Sequence, residues 1–273
     1  MTYLVLSDLH LSPQRPLLTK LFRQFCAGPA QQAARVYILG DLFDFWVGDD
    51  QMRELFAKEI VSLLATISAS NRRLFVQHGN RDFLLGKRFA QHAKATLISD
   101  PYVVEMFGAR TVLTHGDILC TDDTHYQELR RVWRSPARLK QIMYLPYWVR
   151  RRIARSWREQ SERDIGTKPA YLMDVNQDAV IDMMQRYDAA RLIHGHTHRR
   201  AEYSLIIREQ PARRFVLANW YDECASYLEI SNNAIQYREI KAERSSANLG
   251  MHGEAKTVAT IFADDSKNTR VPI

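Results

Sequence analysis

The chain is 273 residues long, 46% hydrophobic and 25% charged, with a formal net charge of +7; this length suits one large domain with a full core, or one domain carrying an insertion. Its three cysteines, Cys26, Cys120 and Cys224, are odd in number and share no CxxC spacing, which argues against a disulfide framework and suits structural, reduced thiols in a cytosolic protein. The longest uncharged apolar stretch, 142–149, is broken by Pro146 and falls short of the roughly 18 residues a bilayer span requires, and Asp8 comes too early for a secretory signal, so neither export nor membrane spanning is expected.

In chain order, short apolar runs predict strands at 3–7, 35–40 and 73–77, alternating with helical periodicity at 17–26 and 52–68. Strands at 102–107 and 110–114 follow. Between 126 and 158, ten basic side chains (Arg130, Arg131, Arg134, Arg138, Lys140, Arg150, Arg151, Arg152, Arg155 and Arg158) stand against the single acid Glu128, leaving the rest of the chain slightly acidic. A helical pattern at 173–187, a strand at 191–194 and β-like runs at 202–208, 213–218 and 227–229 complete the pass. Early strands alternate with helices while later ones run together, which predicts two sheets packed face to face with helices outside. No internal repeat is visible, and 241–273, rich in Ser, Ala, Asn and Lys without sustained periodicity, is expected to be a mobile tail.

Metal-type side chains follow the β-like runs in five words: Ser7-Asp8-Leu9-His10, Gly40-Asp41, Gly79-Asn80-Arg81-Asp82, His115-Gly116-Asp117 and Gly195-His196-Thr197-His198. Doubly wound α/β folds place function on loops at the carboxyl ends of strands, so words on separate strands can converge on one point. Carboxylate, imidazole and amide oxygen suit Mn, Fe or Zn in hydrolytic work, and the absence of Cys from the set argues against a structural zinc site. Singly, Asp8, His10 or Asn80 would more often cap a turn; together and in this order they predict ligation. Asp82, Asp117 and Asp122 are open between supporting the ligands and capping loops, whereas His194 reads as structural and His125 and His252 as solvated.

These words resemble the DxH, GD, GNH(E/D), H and GHxH pattern of the calcineurin-like metallophosphoesterases, over roughly residues 3–200. The resemblance implies an α/β fold, a four-layer αββα sandwich with an inserted helical cap, and two metal ions. Asp41 would bridge them, Asp8, His10 and His198 completing one site and Asn80, His115 and His196 the other. Two such ions about 3.5 to 4 Å apart activate water and neutralise the phosphoryl oxygens it attacks. One position departs from the pattern, because Arg81 stands where most members carry the His of GNH. A guanidinium cannot donate a proton near neutral pH, but it clamps phosphate oxygens, so the leaving group must need no proton. A phosphate monoester, with its second pKa near 6, meets that condition and predicts a diphosphate substrate.

Within this superfamily, 40–50, 78–86, 115–123 and 173–176 are similar to the UDP-2,3-diacylglucosamine diphosphatases of lipid A synthesis, a likeness reaching about residue 240. It implies hydrolysis of UDP-2,3-diacylglucosamine to UMP and 2,3-diacylglucosamine 1-phosphate with two Mn2+ ions, water attacking the α-phosphorus. Arg81, Asp41 and His196 would serve catalysis, and Asn80, Arg81, Asp123, Ser161, Lys168 and His196 would contact substrate. A further family contact, often Asn, falls on Ile165, which cannot supply that polar group. The expected organisation is a catalytic domain at 1–240 with a helical cap at about 122–170, then the tail. In the cap, Val149, Ile153 and Trp157 recur at i, i+4 and i+8 with arginines on other faces. Trp133, Tyr144, Tyr147 and Trp148 among those arginines match interfacial helices, while Phe45 and Trp46 read either as core or as the border of an acyl pocket.

The implied partners are therefore a lipid-linked nucleotide and an anionic membrane surface, with no nucleic acid and no obligatory protein partner. The location would be peripheral, on the cytoplasmic face of the inner membrane. A solvated helix face is the plainer account of the basic stretch. Two rival readings are a nuclease or cyclic-nucleotide phosphodiesterase, whose binding would fall steeply with salt, and a non-catalytic scaffold keeping a relic site. Arg81 and the lipid A words argue against the first and the intact ligand set against the second.

Overall fold

The computed structural model describes residues 1–68, 71–165 and 174–242, with side chains through 159 and again from 174. One sheet contains β1 (Thr2–Leu6), β2 (Arg35–Leu39), β3 (Arg73–Gln77), β4 (Ala95–Ile98), β10 (Cys224–Ser231) and β11 (Ile235–Lys241), in the order β11-β10-β1-β2-β3-β4. The second contains β5 (Tyr102–Met106), β6 (Ala109–Thr114), β7 (Arg191–His194), β8 (Ala201–Ile207) and β9 (Gln210–Val216), in the order β5-β6-β7-β9-β8. The runs β1 to β4 and β6-β7-β9 are parallel, and antiparallel strands flank them.

Period-2 alternation explains the layers. On β1 and β2, Tyr3, Val5, Tyr37 and Leu39 point inward and meet Leu113, Ile193 and Phe215 of the second sheet, so the two sheets share one apolar core. Their alternates Leu4, Leu6, Val36 and Ile38 pack outward against α1 (Pro16–Ala27) and α3 (Leu55–Ile67). On the far side Val112 and Leu192 pack against Val180 and Met184 of α8 (Gln177–Arg186). The layers are thus helix, sheet, sheet and helix, the sandwich implied by the resemblance.

Several boundaries differ from expectation. The predicted helix at 52–68 divides into a 3-10 turn, Asp49–Arg53, and α3, while α8 begins at Gln177 because the Asn176 side chain accepts from Ala179 N at 3.1 Å and caps it. Two short helices, α2 (Pro29–Gln32) and α4 (Lys87–His92), and the strands β4 and β11 were not predicted; α4 and β4 each have one buried apolar side chain, Phe89 and Ile98, too few to set a period. The compact unit runs from Met1 to Ala242. The expected mobile tail beyond it lies outside the described residues.

Between β6 and α8 the chain forms α5 (Thr124–Trp133), α6 (Pro136–Tyr144) and α7 (Tyr147–Ile165). The plainer account of the basic stretch as a solvated helix face needs correction for half of the ten basic residues. Arg130 and Arg134 bind Asp117, Arg150 binds Asp50, Arg151 binds Glu54 and Arg158 binds Asp44. Buried or partly buried carboxylates on the core loops require cationic partners, and these helices supply them.

Candidate metal centre

Strands β1, β2 and β3 of one sheet and β6 and β7 of the other end at the same edge of the sandwich, bringing all five words together. Backbone bonds lace the loops: Asp8 N donates to Gly40 O at 3.2 Å, His10 N to Asp41 O at 2.9 Å and Gly195 N to His115 O at 2.9 Å. Five of the candidate ligands have left-handed backbones, with φ of 56° at Asp8, 47° at His10, 52° at Asp41, 68° at His196 and 59° at His198. That conformation costs a non-glycine residue on the order of 1 kcal/mol, and its concentration here marks a site whose surroundings dictate the backbone.

Two glycines of the words are required by close approach. A Cβ on Gly79 would lie 2.1 Å from Asp41 Oδ1, and one on Gly195 would lie 2.0 Å from Ser7 Oγ and 2.2 Å from Asp8 Oδ2. In the space these glycines leave, Asp8 Oδ2 accepts from His196 N at 2.9 Å and Asp41 Oδ1 from Arg81 N at 2.9 Å. Asp82 accepts from Gly79 N at 2.8 Å and Leu42 N at 2.8 Å, so it orders the loop carrying Asp41.

The candidate ligands form two adjoining groups. In the first, His198 Nε2 lies 3.3 Å from Asp8 Oδ1 and 3.4 Å from His10 Nε2. In the second, Asn80 Oδ1 lies 2.8 Å from His115 Nε2 and 3.1 Å from His196 Nδ1. Asp41 faces both, with Oδ2 at 3.8 Å from His10 Nδ1 and Oδ1 at 3.8 Å from His115 Nε2. Donor atoms of Asp8, His10 and His198, and of Asp8, Asp41 and His115, fall within 4.8 Å of one another.

The electrostatics fit bound cations. Among the described residues, Asp8 Oδ1 and His10 Nδ1 are buried without a hydrogen-bond partner. Burial opposes ionisation of Asp8, yet His198, His115 and His10 around it hold its carboxyl well below the usual range. Burial, with Arg81 adding to it, holds His10 well below its ordinary value, and burial with His115 lowers His196 to about 3, so both imidazoles are neutral. Burial would lower His115 as well, but the carboxylates of Asp41, Asp8 and Asp117 outweigh it and push the pKa up to about 9. An ionised Asp8, neutral His10 and His196, and the carboxylate charge gathered around His115 suit a divalent cation, whose binding would displace the His115 proton.

The predicted substrate contacts divide. Asn80, Arg81 and His196 are at the centre, whereas Asp123 is the N-cap of α5, accepting from Tyr126 N at 3.1 Å. Ser161 and Ile165 are in α7 but their side chains, like Lys168, lie outside the described residues. Asp122 accepts from Asn176 Nδ2 at 2.9 Å, which fastens the chain entering α5 to the chain entering α8. Trp46 is core, 1% exposed, between Phe43 and Phe89. His194 is buried and His125 exposed, while His252 lies outside the described residues. Sequence reasoning missed Tyr126, whose ring stacks on His196 with centroids 6.2 Å apart, and Asp44, which pairs with both Arg81 and Arg158. The recurrence of Tyr126, Arg130 and Arg134 every fourth residue was the available signal for the helix face that meets the site.

This fold and site define a phosphoesterase of the calcineurin-like class: the family model described as calcineurin-like phosphoesterase matches residues 1–200. Among curated relatives, a UDP-2,3-diacylglucosamine hydrolase of Ectopseudomonas mendocina (strain ymp) is 46% identical over 80% of this chain and 89% of its own. Proteins of the same name from Pseudomonas paraeruginosa (strain DSM 24068 / PA7) and Shigella sonnei (strain Ss046) are each 43% identical, over 85% and 82% of this chain and 96% and 92% of theirs. The chain belongs to the calcineurin-like phosphoesterases and, among them, to the UDP-2,3-diacylglucosamine hydrolase family.

Proposed function

We propose that the protein hydrolyses the diphosphate bond of UDP-2,3-diacylglucosamine, giving UMP and 2,3-diacylglucosamine 1-phosphate, with water attacking the α-phosphorus. The observation that carries this reading is Arg81. Its guanidinium lies 3.7 Å from Asp41 Oδ2 through Nε and 3.6 Å from Asp44 Oδ1 through Nη1, at the rim of the metal centre. There it can clamp phosphoryl oxygens but cannot protonate an alkoxide, which favours a leaving group that departs as a phosphate anion.

Asp8, His10 and His198 with Asp41 would hold one ion, and Asn80, His115 and His196 with Asp41 the second. When bound, such a pair supplies Lewis acidity and activates water at neutral pH; Mn2+ is the proposed metal. Asp41 and the backbone bonds to Asp8 and Asp82 orient the ligands, and Arg81 neutralises charge as the bond breaks. Asp123, Ser161 and Lys168 complete the proposed substrate contacts.

The helices α5 to α7 form the proposed cap over the site, and they support a peripheral location on the cytoplasmic face of the inner membrane. Tyr144 and Trp148 are 78% and 69% exposed, Arg138, Lys140 and Arg152 are exposed near them in sequence, and among the described residues no helix is long and apolar enough to cross a membrane. The deciding experiment is hydrolysis of UDP-2,3-diacylglucosamine in 18O-labelled water with Mn2+. Label in UMP is expected. Label in the sugar phosphate, release of UDP, or no metal-stimulated turnover would overturn the reading.

A further inference from the structure

We propose that Arg134 is a positioning residue for this reaction: by bridging the Gly79 carbonyl to the Asp117 carboxylate it keeps Asn80 between His115 and His196. The inference rests on the proposed reading of these three residues as ligands of one ion.

Arg134 Nη2 donates to Gly79 O at 3.0 Å and to Asp117 Oδ2 at 2.7 Å. Gly79 immediately precedes Asn80, and Asp117 follows His115 by two residues, so one guanidinium ties together the two loops that carry the facing ligands. Asp41 leaves no room for a Cβ at position 79, and a glycine has no side chain with which to fix its own peptide plane. Rotation of the 79–80 peptide would swing the Asn80 amide away from His115 and His196, and a bond to the Gly79 carbonyl opposes that rotation.

The helix bearing Arg134 is itself fixed on the same carboxylate. Tyr126 and Arg130 of α5 and Arg134 at its C-cap follow one another at i, i+4 and i+8, and all three donate to Asp117 Oδ2, at 2.7, 2.9 and 2.7 Å. Their remaining contacts separate their roles. Arg130 reaches Asp100 at 3.3 Å, while of the two arginines it is Arg134 that donates to the Gly79 carbonyl.

The test compares Arg134→Gln and Arg134→Lys with Arg130→Gln and with Arg131→Gln, a change on the exposed side of the helix. Metal-free protein is titrated calorimetrically with Mn2+, and kcat, KM and melting temperature are measured in parallel. Arg134→Gln is expected to weaken the second Mn2+ and lower kcat, each by roughly 10–100-fold, with KM nearly unchanged, as loss of a partner that orients a metal ligand does. Arg134→Lys should recover part of both effects, Arg130→Gln should lower the melting temperature without moving the Mn2+ titration, and Arg131→Gln should match wild type. The proposal is overturned by a wild-type titration and kcat in Arg134→Gln, or by equal displacement of the titration in Arg130→Gln, which would mark a merely structural anchor. Should Arg134→Gln not fold, Arg134→Lys decides, since a wild-type titration there removes the role. A wild-type protein that binds fewer than two ions would instead bring down the two-ion reading, and this inference with it.

Discussion

Individual side chains at the centre have separable duties. Asp41 faces both ligand groups, whereas the Arg81 guanidinium meets Asp41 and Asp44, so their losses should differ. Asp41→Ala is expected to abolish turnover and to release metal, whereas Arg81→Ala lowers kcat by roughly 10²–10³-fold and keeps both ions; metal content and initial rates measured on the same preparations decide, and equal metal loss would refute the division. At Gly195 the constraint is steric. Gly195→Ala forces a methyl against Ser7 and Asp8, so a stability loss of about 1–3 kcal/mol with collapse of metal affinity is expected in urea unfolding and Mn2+ titration. Away from the centre, burial pushes the Cys26 thiol up to about 12. The unfolded chain ionises this thiol from about pH 8.5, so the stability it contributes is complete below that pH and is lost as pH rises towards 12. Between pH 9 and 11 the unfolding free energy should therefore fall more steeply in wild type than in Cys26→Ala, by up to about 1.4 kcal/mol per pH unit; parallel slopes would show that the thiol ionises equally easily in the folded protein.

Among the elements, α5 depends on one buried carboxylate more than on apolar packing, since Asp117 collects Tyr126, Arg130 and Arg134 while no residue of the helix is fully buried. Asp117→Asn removes the carboxylate charge beside Arg134 and one of the two beside Arg130, and a loss of about 3 kcal/mol is expected. Urea unfolding measures it, and an unchanged midpoint would mean that α5 is held by other contacts. The central strands β1 and β2 were legible in the sequence because they bury alternate residues on two different layers, as Tyr3 and Val5 against Leu4 and Leu6 do. The stop signals were legible too, since Gly40 and Gly195 follow strands directly and Gly79 follows one residue later. What faced what was not. A basic stretch looks the same in sequence whether its arginines meet phosphate, water or an aspartate from another strand, and Arg130, Arg134, Arg150, Arg151 and Arg158 meet carboxylates.

For the molecule as a whole, the proposed peripheral binding places Tyr144 and Trp148 at the lipid surface. Replacing both by Ser should reduce cosedimentation with anionic vesicles while leaving Mn2+ titration unchanged; unchanged cosedimentation would remove these helices from the membrane reading. The order of the words, from Asp8 to His198, already determined that one edge of a parallel α/β architecture would gather carboxylate, amide and imidazole donors, because parallel strands deliver their carboxyl ends to the same side. The chain alone also showed the departure at Arg81 on which the proposed choice of leaving group rests. Only the tertiary structure decided that Asp41 faces both ligand groups, that Asp8 Oδ1 and His10 Nδ1 are buried without a hydrogen-bond partner among the described residues, and that Arg134 joins Asp117 to Gly79. Those relations join residues tens of positions apart, and their distances are set by how two sheets and a helical insertion pack rather than by any local preference of the chain.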